Sequence, residues 1–368
     1  MPAPQQNTRV DPLANYLPVN LHEAETLVMD TFRAGWVPNL LSSPGIGKSS
    51  LIKQIAKKAN LCVLDVRLSQ LDPADLNGFP TITTDENGVK RAGYIPMNIF
   101  PIKGDSLPIN PETGVTYAGW ILFLDELNAA TPAVQAAAYK ILLDRMIGMH
   151  ELHPKCLVAS AGNLKTDKAI VNFQSTATQS RIAHLVIKVC NETWHWWANA
   201  NNVDVRVKAF LKWKPDSLHK FDPNHQDLTF ACPRTWEMTS DVIKPMKECV
   251  ESSKLPLLAG CIGLGSAREF YAFTEVFADL PTIQKIISDP QGITIRDEPS
   301  VHYALAGLVG HHMKVANSAA LLKFIMRLGP DFQVVSLRQA VANDMDLLKS
   351  PAIAEWVKYN TEALIRSR

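Results

Sequence analysis

Apolar positions in the first half of the chain alternate between a helical and a strand-like rhythm. Leu21, Ala24, Leu27, Val28 and Phe32 fall on one helical face, and Asn20 with Glu23 forms a capping box before them, so a helix is predicted from residue 21, ended by Gly35. A short apolar strand at 36–41 follows, then a Gly-containing loop at 42–47. A helix at 48–59 comes next, its apolar face made by Leu51, Ile52, Ile55 and Ala56, and a second strand at 61–68 closes the unit. Strand, helix, strand in such close succession is a βαβ unit, which implies a parallel sheet covered by helices. Further buried strands are predicted at 120–124, 156–161 and 184–189, with a helix at 132–146, and a hairpin at 81–94 turning at Glu86, Asn87 and Gly88.

After residue 190 strand-like runs disappear, and helical spacing continues to the end, punctuated by prolines. The organisation expected is a polar, Pro-rich arm at 1–19, an α/β core at 20–190 with the hairpin inserted near 81–94, a helical domain at 191–280 and a helical extension at 281–368.

Composition narrows the function. The chain has 368 residues, 46% of them hydrophobic, enough to bury a sizeable core. Its 37 Lys and Arg nearly cancel 36 Asp and Glu, which argues against a broad basic face for nucleic acid. No apolar run approaches the roughly 18–20 residues that span a bilayer, and the N-terminal residues lack a signal-peptide pattern. A soluble, cytoplasmic chain without a membrane partner is expected. The six cysteines (Cys62, Cys156, Cys190, Cys232, Cys249, Cys261) include no CxxC pair and read as free thiols.

The loop after the first strand carries the most specific chemistry. Residues 42–49 follow the phosphate-loop pattern G-x-x-x-x-G-K-[ST], with Ser42 in place of the first Gly. Gly45 and Gly47 permit positive φ, so that successive N–H groups converge on phosphate oxygens. Lys48 supplies charge near the terminal phosphates, Ser49 a hydroxyl for Mg²⁺, and the helix its positive dipole end. Pro44, Gly45, Ile46, Gly47, Lys48, Ser49 and Ser50 are thus the expected nucleotide-binding stretch, with ATP and Mg²⁺ as ligands.

The apolar strand at 120–124 runs into Asp125 and Glu126. On a strand the two carboxylates would face opposite ways, Asp125 holding Mg²⁺ and Glu126 polarising the attacking water. Asn163 ends the next strand, where its amide would reach the γ-phosphate and that water. Arg181, before the last strand, would cross a subunit boundary as an arginine finger. Arg234 would report the γ-phosphate to the helical domain.

Together these residues resemble the AAA+ ATPases, more narrowly their MoxR-like and dynein-related branch. The motifs are SSPGIGKSS (42–50), LDPADLNGFP (71–80), ILFLDELNAA (121–130), VASAGN (158–163), TQSRIAHL (178–185) and ACPRTWE (231–237). The resemblance implies a P-loop αβα core, a helical lid and a helical extension. It makes Asp125 and Glu126 the Walker B pair, Asn163 sensor 1, Arg181 the finger and Arg234 sensor 2. It also implies a hexameric homo-oligomeric ring that remodels or activates a protein substrate, often with a von Willebrand factor A-domain partner. Departures are Ser42, and Ser180 where relatives tend to have Asn.

Two other functions fit part of the pattern. A nucleic-acid motor or helicase loader is disfavoured by the balanced charge, and a nucleotide-sensing scaffold with little turnover by the intact Asp125–Glu126 pair. His150 and His153 have no third ligand nearby, and His311 and His312, side by side in a helical pattern, would face different directions, so neither pair reads as a metal site. Trp194, Trp196 and Trp197 read as a packed helical core, and Lys53, Lys57 and Lys58 as a solvated face.

Overall fold

The computed structural model describes residues 16–84, 88–167, 172, 179–246 and 250–360. Most of the predicted arm, the Glu86 and Asn87 part of the predicted turn, Thr178, Cys249 and the last residues of the extension lie outside the described residues. The chain divides into two compact units, Met1–Val189 and Cys190–Arg368.

In the first unit the helices are α1 (Leu21–Arg33), α2 (Lys48–Lys58), α3 (Pro73–Asn77) and α4 (Pro132–Leu143). The strands are β1 (Val37–Ser42), β2 (Leu61–Arg67), β3 (Phe79–Thr84), β4 (Lys90–Ile95), β5 (Gly119–Asp125), β6 (Met146–Ile147), β7 (His150–Glu151), β8 (Cys156–Asn163) and β9 (Ile182–Val186). Five of them form a wholly parallel sheet in the order β2-β5-β8-β1-β9. Strands β1 and β2 are consecutive in sequence yet separated by β5 and β8. The exits of β1, β5 and β8 therefore stand side by side at the carboxyl edge, where open parallel sheets bind ligands.

Both faces of the sheet are covered, as a parallel sheet requires. Side-chain alternation sends Ile121 and Phe123 to one face, where they pack with Leu40, Ile52 and Ile55. It sends Trp120, Leu122 and Leu124 to the other, where they meet Val134, Ala138 and Ile141 of α4. The Asn20–Glu23 capping box is present at α1, and the hairpin is the antiparallel pair β3–β4.

Most boundaries shift by one or two residues, and three departures from expectation are larger. The helix predicted at 132–146 stops at Leu143, because Arg145 adopts φ +57° and the chain enters the small β6–β7 hairpin. The last core strand lies at Ile182–Val186, earlier than 184–189. The end of the predicted loose arm is tied down, since Val19 bridges to Ile187 beside β9. An apolar residue at a sheet edge gains both ladder hydrogen bonds and burial there.

The second unit is helical: α5 (Asn191–Ala200), α6 (Val205–Trp213), α7 (Pro233–Ile243), α8 (Leu255–Ile262), α9 (Leu264–Ala278), α10 (Ile283–Ser288), α11 (Pro299–His312), α12 (Ser318–Ile325), α13 (Pro330–Asn343) and α14 (Pro351–Tyr359). Phe210, Trp236, Phe270 and Phe273 form an aromatic cluster. A second core gathers Leu305, Leu321, Phe324, Leu337 and Trp356. Of the three tryptophans in α5, Trp194 is buried and Trp196 exposed. Among the described residues no helix is long and apolar enough to cross a membrane.

Candidate functional site

Strand β1 ends at Ser42, and the chain turns through residues 43–47 before α2 begins at Lys48. The turn works because Gly45 and Gly47 adopt φ +77° and +114°, a region that side chains with a Cβ rarely enter. Ile46 is buried among Leu40, Leu51 and Ile52, which pins the loop to the core. Gly47 caps α2 with no side chain, so the first-turn N–H groups have no competing cap and can serve an anion. Pro44 lies within this turn, and Ser50 lies in the first turn of α2 on its exposed side.

Lys48 is buried, and its ammonium donates to three oxygens: Ser42 O at 3.2 Å, Ser42 Oγ at 3.0 Å and Asn163 Oδ1 at 3.2 Å. Ser42, placed by expectation at the strand exit, thus has a part in holding the lysine. Ser42 and Asn163 are register partners on neighbouring strands, which brings the amide to Lys48. The Ser49 hydroxyl donates to Asp125 Oδ2 at 3.1 Å. Two hydrogen-bonded pairs, Lys48–Asn163 and Ser49–Asp125, thus stand over three adjoining strand exits.

Glu126 corrects the expected strand alternation. Its φ is +59°, so the chain has already left the strand. The backbone N–H of Glu126 donates to Asp125 Oδ1 at 2.8 Å, and its own carboxylate accepts from the Ser69 hydroxyl. A left-handed turn, and not the pleat, separates the two carboxylates. A non-Gly residue held in that region carries a local cost of about 1–3 kcal/mol and is common at functional sites.

Several participants were not legible in sequence. Asn128 is buried and clamps the backbone of Asn163 from both sides, accepting from its N–H at 3.1 Å and donating to its carbonyl at 2.7 Å. The clamp needs Gly162, because a Cβ there would collide with the Asn128 amide. Asp167 accepts from Ser43 and lies in the field of Lys48; burial nevertheless pushes its pKa above the ordinary value. Asn128 lies three residues after Asp125 in a quoted motif, but an Asn after a strand more often marks a turn. For Asp167 no spacing rule gave a signal.

The structure does not bring Arg181 to this cluster. Arg181 is exposed and directly precedes β9. Its neighbour Ile182 pairs with Val37 at the start of β1, whereas the loop leaves the other end of β1. Five residue steps of strand put the two ends about 17 Å apart. A polar row crosses the sheet between these edges, from buried Ser160 and Asn39 to exposed His184: Ser160 Oγ donates to Asn39 Oδ1 at 2.9 Å, and Asn39 Nδ2 lies 3.0 Å from His184 Nδ1. His184 Nε2 in turn lies 3.2 Å from the carbonyl of Gln179, two residues before Arg181. If the Asn39 amide donates, the imidazole carries its proton on Nε2 and donates it to that carbonyl. Arg234 is exposed near the start of α7 in the second unit, lining a shallow pocket with Glu237, Met238 and Asp241.

Among the described residues no group of three or more His, Cys, Asp or Glu side chains is arranged to hold a metal. The Ser49–Asp125 pair sets a hydroxyl against an aspartate oxygen at the start of α2. Hard oxygen donors of that kind suit Mg²⁺, which ordinarily completes its shell with water and substrate phosphate. The residues fit.

No protein-family model matches the sequence, and no curated protein matches it. Solved structures with some similarity include a "putative ATPase" from Cytophaga hutchinsonii, 11% identical over 96% of this chain and 92% of that one, with a TM-score of 0.32. Another is an arginine-to-alanine variant of RuvB from Thermotoga maritima, 14% identical over 73% of this chain and 74% of that one, with a TM-score of 0.37. At such TM-scores these likenesses carry no argument, and the functional reading rests on the geometry above.

Proposed function

We propose that this chain is an ATP-hydrolysing AAA+ protein of the MoxR-like kind, assembled head to tail as a homo-oligomeric ring that remodels a protein partner. One observation supports it above the others: a phosphate loop whose Lys48, Ser49, Asp125 and Asn163 converge on adjoining strand exits.

In this reading the loop N–H groups and Lys48 hold the β- and γ-phosphates of ATP. Ser49 and Asp125 hold Mg²⁺, which would offset charge on the phosphate oxygens when bound. Glu126 accepts a proton from water as the water oxygen bonds to the γ-phosphorus. The bond from that phosphorus to the bridging oxygen breaks, ADP leaves, and the proton passes to the released phosphate. Asn163, fixed by Asn128, orients the water. Ser69 holds Glu126 until substrate arrives.

Arg181 cannot reach its own loop across about 17 Å of strand. A copy placed with that edge against the next copy's loop would supply the guanidinium in trans, and repetition of one such contact closes a ring. Arg234 is assigned to sensing the γ-phosphate from the helical unit. A von Willebrand factor A-domain protein is the proposed class of partner, and a hexamer the proposed ring.

The test is steady-state ATPase activity of the full chain. Arg181→Ala should lower turnover at least a hundredfold, and mixing it with Glu126→Gln chains should restore part of it. A mixture no more active than its components would contradict the trans arrangement.

A further inference from the structure

The edge that carries Arg181 also holds a pocket of about 410 Å³, lined by Gly35, Trp36, Val37, Leu142, Leu143, Asp144, Arg145 and Arg181. Two of these residues are arginines from different elements. Arg181 comes from the entry to β9, and Arg145 from the turn after α4. Helix α4 starts beyond Asp125 at the carboxyl edge and runs back over the sheet, which delivers its last turn to the opposite edge.

Arg145 is an unusual residue to find there. It is half-buried with φ +57°. One terminal nitrogen, Nη1, is buried without a hydrogen-bond partner, and Nη2 makes only a long contact of 3.4 Å with the carbonyl of Gly35. No ion pair joins Arg145 or Arg181 to a carboxylate among the described residues, although Asp144 lines the same pocket. A guanidinium removed from water with its donors unused costs free energy; here burial lowers its pKa. An anion entering the pocket would reverse that cost, and a planar five-donor fork beside a second guanidinium suits phosphate oxygens. Trp36, 59% exposed, forms an apolar wall of the pocket and would help shield such a contact from water.

We infer that Arg145 is a second trans guanidinium: with Arg181 it receives the terminal phosphate of the nucleotide held by a neighbouring copy of this chain. This rests on the proposed ATPase reading. The pocket cannot serve its own copy's phosphate loop, which leaves the other end of β1. Arg145 and Arg181 would share the charge that builds on the γ-phosphate oxygens in the transition state. A free inorganic anion is the other source of the same chemistry.

The experiment pairs two inactive chains. Lys48→Ala chains lack a working cradle but retain both arginines; Arg145→Ala chains retain the cradle and lack the second guanidinium. Each alone should turn over ATP about a hundredfold more slowly than the wild type. Mixed in equal amounts, the productive pairing of an intact cradle with an intact donor edge arises at about a quarter of interfaces, so activity should recover toward that fraction. Arg145→Lys, which keeps charge but not the fork, should be intermediate and should be rescued in the same way.

Restored activity also shows that the variant folds; if Arg145→Ala is insoluble, Arg145→Lys carries the mixing experiment. Wild-type turnover in Arg145→Ala, or no rescue of either variant, would overturn the inference. So would binding of inorganic phosphate to Lys48→Ala chains that is lost on adding Arg145→Ala while mixing rescues nothing, since the pocket would then serve a free anion. Failure of the ATPase reading looks different: the wild-type chain itself would neither bind nor hydrolyse ATP.

Discussion

The two edges of the parallel sheet are built from the same strands and handle charge in opposite ways. At the carboxyl edge the polar side chains are organised around one another: Lys48 donates to Ser42 and Asn163, Ser49 to Asp125, Ser69 to Glu126, and Asn128 holds Asn163. At the opposite edge Arg145 and Arg181 line an open pocket with few contacts of their own. A preorganised edge can position a reacting group without rearrangement. An edge with unused donors is complete only when something else arrives. On the proposed function the labour is divided: each copy would bind a nucleotide with one edge and complete a neighbour's site with the other.

The sharpest way to break this contrast is at the carboxyl edge. Glu126→Gln should keep ATP affinity within a few-fold of wild type while turnover falls by two orders of magnitude or more, because only proton acceptance is removed. Turnover near the wild-type rate would remove Glu126 from the chemistry.

Asn128→Ala should act next most strongly. It deletes both hydrogen bonds that fix the half-buried Asn163, one to its N–H and one to its carbonyl. A tenfold fall in kcat and a loss of about 1–3 kcal/mol in unfolding free energy are expected. Chemical denaturation and steady-state kinetics on the same preparation separate the two effects. A kcat unchanged despite reduced stability would make Asn128 purely structural.

Asp167→Asn should have the reverse sign. Removing a carboxylate from the field of Lys48 should tighten triphosphate binding a few-fold, on the order of 1 kcal/mol. Burial raises the pKa of Asp167, so in the wild type its charge is lost earlier on acidification than that of an ordinary Asp. The advantage of Asp167→Asn should therefore be full near neutrality and shrink as pH falls through the raised pKa. The same raised pKa means that this carboxyl favours the folded state at low pH, a contribution lost as pH rises through it. A ratio of affinities independent of pH would contradict this account.

The smallest effect should come from the polar row between the edges. His184→Phe removes the link from Asn39 to the Gln179 carbonyl and should slow turnover a few-fold, with ATP affinity unchanged. If affinity fell instead, the row would be supporting the cradle and not the Arg181 segment.

Much of this molecule could be read from its residues in order. The capping box at Asn20 and Glu23, the alternating apolar runs and the loop at 42–49 are local signals, and each names its structure within a few residues. They placed the parallel sheet and the cluster of Lys48, Ser49, Asp125 and Asn163. What escaped was set by distant contacts. Asn128 matters because Gly162, on another strand, leaves room for its amide. Asp167 reaches Ser43 only through the folded sheet. Arg145 was hidden inside a helix predicted to continue through it, and the positive φ that aims it cannot be seen in helical periodicity. The expected strand alternation of Asp125 and Glu126 failed for a related reason: a backbone turn at Glu126 decides their directions.

The central claim is that a nucleoside triphosphate with Mg²⁺ occupies the loop between β1 and α2. It is tested most directly by titrating the full wild-type chain and its Lys48→Ala variant with ATP in the presence of Mg²⁺ and measuring bound nucleotide. Saturable binding in the wild type, weakened at least a hundredfold in the variant as loss of a charge-assisted phosphate contact implies, is the predicted result. Equal affinity in the two chains, or none in the wild type, would contradict it.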